Sequence, residues 1–229
     1  MIPHFRTTTA TLFAVAALAG CSASRKSPQT SPQPPSAVVI HGDSAAIANA
    51  KGDKDRYAYT EADVQFISGM IHHHAQAITM AKLAPTHGAS SSILTLAGRV
   101  INAQNDEIAL MSQWLRDRGK PVPEPSDKGM KMNMGGEEHV MLMPGMLTEA
   151  QMKQLDAAKG AEFDKLFLTL MIQHHTGAVS MVKDLFNTYG AGQDETVFKL
   201  ASDVNVDQTT EIARMQRMLF TMMVESKPQ

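Results

Sequence analysis

In four blocks, residues 63–81, 96–115, 164–182 and 200–219, apolar residues recur every three to four positions. That is the period of a helix with one buried stripe. The punctuation between the blocks agrees. Thr60 stands as an N-cap before Glu-Ala-Asp, with Asp63 at the third helical position. The stretch from Pro85 to Ser92, with Gly88 inside it, separates the first helix from the second. Gly119 and Pro121 end the second helix after Arg116 and Arg118. Thr148 and Gln151 form a capping box for a shorter helix that Gly160 interrupts, and Gly190 and Gly192 divide the last two.

The blocks are two copies of one unit. Asp63–Ala81 aligns with Asp164–Val182, pairing Phe66 with Phe167, Met70 with Met171, His73 with His174, His74 with His175 and Met80 with Met181. At a slightly larger offset, Gln104 pairs with Gln208, Glu107 with Glu211 and Met111 with Met215. Each copy reads as a helical hairpin. Neither hairpin can bury its stripe alone, so the expected fold is all-α, an up-down four-helix bundle of two repeated hairpins.

Placing residues at about 100° per step puts Phe66, Met70, Ala77 and Ala81 on one buried stripe. His73 and His74 straddle it. His72 falls near the opposite face, where its counterpart is the polar Gln173, and is expected to be solvated. On the second helix Gln104, Ile108, Met111 and Leu115 share a face, with Glu107 on its flank and Asp106 pointing away. With the turn centred near residue 89, antiparallel residues whose numbers sum to about 178 lie level. His73 and His74 then face Gln104 and Asn105, and Met70 faces Glu107 and Ile108. The expected inward clusters are Met70, His73, His74, Gln104 and Glu107, and Met171, His174, His175, Gln208 and Glu211.

Such clusters are costly to bury unless their members are paired or bind something. Imidazole, thioether and carboxylate together suit a transition metal, and methionine shifts the choice toward Cu(I) or silver because thioether sulfur is soft. The metal candidates are thus His73, His74, Met70, Met80, Gln104, Glu107 and Met111, with His174, His175, Met171, Met181, Gln208, Glu211 and Met215. Two other readings fit the same residues. The methionines also serve as adaptable core filler, and the histidines as hydrogen-bond partners of the glutamates.

Composition adds a third piece. There are 17 methionines in the chain, and six of them, Met130, Met132, Met134, Met141, Met143 and Met146, crowd the linker with His139 among them. Alternation of Met with other residues, broken by Gly and Pro, fits no helix stripe, and a buried strand favours β-branched residues. The linker is expected to be a thioether-rich loop able to capture Cu(I), or a hinge that packs on the bundle. Net charge is −2, with no basic stripe, which argues against nucleic acid as a partner.

The N-terminal run TLFAVAALAG is too short to span a bilayer and ends in Leu18-Ala19-Gly20-Cys21. That tetrapeptide resembles a bacterial lipoprotein signal, which implies lipidation of Cys21. Lipidation would leave no thiolate ligand, since Cys21 is the single cysteine. The expected organisation is a signal peptide at 1–20, a Ser/Pro-rich tether at 21–56 that includes an exposed His41, and hairpin 1 at 57–118. The Met-rich linker follows at 119–147, then a short helix plus hairpin 2 at 148–225, with 57–225 as one domain. The expected location is the cell envelope, facing the periplasm or exterior.

The paired pattern F-x-x-x-M-I-x-H-H…A…M followed by Q-x-x-E-I-x-x-M resembles a bacterial family known as domain of unknown function number three hundred and five. The likeness covers about residues 57–223. It implies a ferritin-like four-helix bundle and, for some members, periplasmic copper binding. The expected function is therefore a non-enzymatic, envelope-anchored protein that buffers copper or hands it to a partner protein. One alternative is a ferritin-like dinuclear iron or manganese redox protein, disfavoured by the absence of Glu-x-x-His on these helices. Another is a structural or interaction domain without metal.

Overall fold

The computed structural model describes residues 58–134 and 137–225; the expected signal peptide, Cys21 and the tether with His41 lie outside them. Among the described residues the fold is mostly helical. Helix α1 spans Glu61–Leu83 and ends in a 3-10 turn at Ala84–Thr86; α2 spans Ser91–Asp117. A short helix α3, Glu149–Ala157, precedes α4, Gly160–Asn187, and α5, Glu195–Glu225. Helix α1 packs on α2, α4 packs on α5, and the two hairpins meet through α1 and α4.

The capping boxes form as the sequence predicts. The Thr60 hydroxyl accepts from the Asp63 N–H while the Asp63 carboxylate accepts from the Thr60 N–H at 2.6 Å, and Thr148 and Gln151 repeat the device on α3. The two aspartates matched by the repeat have a second task. Asp63 accepts from the Gly192 N–H at 2.7 Å, in the turn of the other hairpin. Asp164 accepts from the Ser90 N–H at 3.2 Å, in the turn of the first. Each hairpin thus clamps the turn of its partner through a buried carboxylate.

Two apolar clusters make up the core. One holds Met70, Met111 and Met181 with Trp114 and Val204; the other holds Met171, Met215 and Met80 with Phe163 and Phe167. The repeat exchanges these two methionine triplets residue for residue. Along α1 and α4 the histidine pairs lie between the clusters.

The linker departs from expectation. It is not a loop: Met130–Met134 (β1) pairs antiparallel with Glu137–Met141 (β2), Met130 opposite Met141. Period-two alternation of Met with polar residues is a strand pattern even without β-branched residues, because a two-stranded ribbon needs one apolar edge and no buried interior. Beyond β2 the chain returns to the helices. Gln76 on α1 holds the chain on both sides of the ribbon, donating to the carbonyls of Asp127 before it at 2.7 Å and Leu147 after it at 3.0 Å, and accepting from the Leu147 N–H at 2.6 Å.

Candidate metal centre

Each hairpin contains one histidine–glutamate pair with the same geometry. His74 Nε2 lies 2.7 Å from Glu107 Oε2, and His175 Nε2 lies 2.7 Å from Glu211 Oε2. The expected level partners of His74 were Gln104 and Asn105; Glu107 is one helical turn further along. Helical side chains lean toward their own N-terminus. In an antiparallel pair His74 and Glu107 lean toward one another, and the contact forms between residues whose backbones are offset. Both imidazoles are fully buried, while the glutamates are 18% and 25% exposed, so each carboxylate reaches from the edge of the core inward.

His73 and His174 meet across the hairpin interface. Their rings stand 3.8 Å apart, centroid to centroid, at 39°. His73 Nε2 lies 3.0 Å from the Pro144 carbonyl, contributed by the returning linker. That approach depends on glycine. A Cβ on Gly177 would stand 1.9 Å from the Pro144 carbonyl oxygen, and one on Gly145 would stand 2.7 Å from the Gln173 carbonyl oxygen. Gly69 similarly leaves room for the Met143 sulfur, 2.9 Å from where its Cβ would be. Pro144 and these glycines are the site residues that sequence reasoning missed. Glycine inside an apolar helix, at 69 and 177, was the available signal.

The hydrogen bonds dictate tautomers. A carbonyl or carboxylate oxygen at Nε2 requires the proton there, so His73, His74 and His175 carry Nε2–H, which leaves Nδ1 as the ring position open to a further partner. All three Nδ1 atoms are buried without a partner. Both ring nitrogens of His174, both amide atoms of Gln104 and the amide oxygen of Gln208 are in the same condition. Burial, then the neighbouring His74, pushes His73 down to about 3; burial and then His73 hold His174 well below its ordinary value. Near neutral pH the His73–His174 contact therefore joins two uncharged rings. Asp207 stands near the same layer: burial, then Glu107, Asp203 and Glu211, raise its carboxyl above the usual range.

These groups can do one thing well. Neutral imidazole with a free lone pair is a transition-metal ligand, and an oxygen on the other ring nitrogen is the usual means of orienting it. Among the described residues, no three His, Cys, Asp or Glu side chains already converge on a single point. The donor set thus suits an ion content with few ligands, or one completed by amide or thioether, better than a hard cation that needs a cage of carboxylates.

The predicted methionines divide. Met70, Met80, Met111, Met171, Met181 and Met215 are all buried, within the apolar clusters on either side of the histidine layer. In the linker, Met143 and Met146 are buried in the first cluster, Met130 packs partly against it, and Met141 and His139 are exposed. The side chains of Met132 and Met134 lie outside the described residues. The linker is therefore part packing element and part surface ribbon. The reading of His72 is corrected. It is buried, not solvated, because the linker folds over the outer face of α1. Its counterpart Gln173 is exposed, as expected.

Paired helical hairpins that bury two histidine–glutamate couples and a histidine–histidine contact define a class of helical protein with a duplicated imidazole layer. The chain belongs to the DUF305 family, a domain of unknown function whose model matches residues 63–219. It is similar to a DUF305 protein from Streptomyces coelicolor, with 30% identity, 70% of this chain and 93% of that one covered, and a TM-score of 0.57. It is also similar to a DUF305 fragment from Deinococcus radiodurans, with 28% identity, 71% and 98% coverage and a TM-score of 0.58. A third similar structure is CopM in its Cu(I)-bound form, with 28% identity, 69% and 96% coverage and a TM-score of 0.52. CopM has also been solved with Cu(II) and with silver. The chain matches none of the curated proteins compared with it.

Proposed function

We propose that this protein binds copper, principally Cu(I), in the imidazole layer of a ferritin-like four-helix bundle, and that it stores or hands on the ion without catalysing a reaction. The observation that carries the reading is the set of three buried, unpartnered Nδ1 atoms on His73, His74 and His175, each ring oriented by an oxygen at Nε2. A buried acceptor without a partner costs about 1–3 kcal/mol, and coordination offsets that cost. Glu107 and Glu211 orient their imidazoles through Nε2 and lie near enough to the surface to contribute charge on entry. The similarity to CopM supports copper as the cargo. Cys21 would anchor the chain to the envelope by a lipid, with residues 21–56 as the tether from which a partner protein collects the metal.

The test is an anaerobic titration of Cu(I) against a chromogenic competing chelator. The protein should take copper at a fixed ratio per chain, and a variant with His73, His74, His174 and His175 all replaced by Gln should lose that tight uptake. Equal uptake by both would remove the imidazole layer from the account.

A further inference from the structure

The turn between α4 and α5 carries an exposed aromatic patch. Phe186 is 42% exposed, Phe198 is 56% exposed and Tyr189 is fully exposed. The rings of Phe186 and Phe198 stand 5.6 Å apart, and that of Phe186 lies over Gly192, 2.8 Å from where a Cβ on that glycine would be. The two apolar clusters of the core include none of the three. The described chain begins at the same end. Asp63, in the first turn of α1, accepts from the Gly192 N–H at 2.7 Å, and the Thr60 methyl lies 3.8 Å from where a Cβ on Gly190 would be. Residues 22–57, which link Cys21 to the bundle, therefore enter it beside the patch. Two other exposed apolar residues of α5, Phe220 and Val224, lie toward the far end. Phe220 is about 33 Å along α5 from Phe198, at about 1.5 Å per residue.

We infer that Phe186, Tyr189 and Phe198 seat this end of the bundle on the lipid surface to which Cys21 is anchored. The inference rests on the lipid anchor proposed above and takes nothing from the imidazole layer. Aromatic rings, tyrosine above all, settle at the headgroup level of a bilayer, with the apolar body inside and the polar tip wet. The charges flanking the patch in sequence balance, Lys183 and Lys199 against Asp184 and Glu195. Ring insertion, not attraction to anionic lipid, therefore drives the contact. Among the described residues no helix is long and apolar enough to cross a membrane, so the contact is one of surface. Three rings hold a bilayer weakly from free solution. A tether changes that, because a patch kept beside its target meets it at an effective concentration on the order of millimolar. Seated this way, α1 turns its N-terminus toward the lipid. His74 lies about 20 Å along the helix from that N-terminus, at about 1.5 Å per residue, which sets the histidine layer back from the contact.

The experiment couples the full chain through its single cysteine, Cys21, to a maleimide lipid in phosphatidylcholine vesicles, with or without bromine on the acyl chains. The reporter is Y189W, read against wild type, whose one tryptophan, Trp114, is buried. Brominated lipid should quench Y189W and leave wild type unchanged. F186S/F198S in the Y189W background should lose the quenching, F220S at the far end should keep it, and high salt should not remove it. Equal Y189W emission in both lipids overturns the contact, as does quenching that requires anionic lipid. A blue shift that grows with protein density and shows no quenching assigns the patch to a second copy and overturns it too. Should F186S/F198S fail to fold, hydrogen exchange of the wild-type protein decides: amides of residues 188–198 must slow on vesicle tethering, and unchanged exchange refutes the contact. Chemical coupling makes the patch's test independent of natural lipidation. The intact mass of the protein recovered from cell membranes tests the anchor itself, so the two failures are distinguishable.

Discussion

The rings of His73 and His174 stand 3.8 Å apart at the meeting of the two hairpins, and neither can be charged cheaply. In the unfolded chain both titrate near 6.5. Burial, then a neighbouring histidine, depresses both in the fold, His73 to about 3. Below about pH 6.5 the unfolded chain takes up protons that the folded protein refuses, so folding stability is full above that pH and falls on the way down toward 3. The slope for each histidine approaches about 1.4 kcal/mol per pH unit. Urea denaturation of the metal-free protein at a series of pH values between neutral and moderately acidic measures it. A flat profile over that range would show that the rings are not held neutral.

Glu107 and Glu211 act on the metal through the histidines they touch. Replacing either by Gln keeps the side chain's length but removes the carboxylate charge that faces the imidazole Nε2. E107Q and E211Q should each weaken Cu(I) binding by about 10- to 100-fold with little loss of folded protein. Competition titration alongside circular dichroism separates the two effects. Unchanged affinity in both variants would place the ion away from His74 and His175.

Gly177 tests the linker's contribution. Its missing Cβ is what lets the Pro144 carbonyl reach the helix and hold His73. Ala at this position meets backbone, not a flexible side chain, so the linker must lift. G177A should lose about 1–3 kcal/mol of stability, the cost of overpacking, and should release the His73 tautomer. Chemical denaturation reads the first effect and imidazole NMR the second.

Met143 and Met146 are buried among apolar neighbours, so their volume matters to the fold whether or not their sulfur binds metal. M143L and M146L preserve volume and should cost less than about 1.5 kcal/mol each. If Cu(I) affinity falls with stability unchanged, the thioethers are ligands. If affinity is also unchanged, these two residues serve packing alone.

The helical hairpins, both Thr capping boxes and the burial of the histidine pairs were legible because each depends on residues close in sequence and on helical period. The His74–Glu107 and His175–Glu211 contacts were half legible: the repeat picked out the residues, but the lean of helical side chains set the partners. His72 was misjudged because period locates a face and does not say what later covers it. The covering element is the linker, pinned by Gln76 and seated on Gly69 and Gly177. Those glycines interrupt apolar helices at some cost in stability, and their positions mark where backbone or sulfur would approach. The linker's ribbon was hidden for a different reason, since its Met-polar alternation lacks the β-branched residues by which strands are usually recognised.

The most direct measurement is nitrogen NMR of the imidazoles of His73, His74, His174 and His175, taken before and after addition of Ag(I), a diamagnetic soft ion. The account predicts Nε2–H tautomers for His73, His74 and His175 in the free protein, and displacement of their Nδ1 resonances when the ion binds. Saturation with Ag(I) that leaves all of these Nδ1 resonances in place would contradict it.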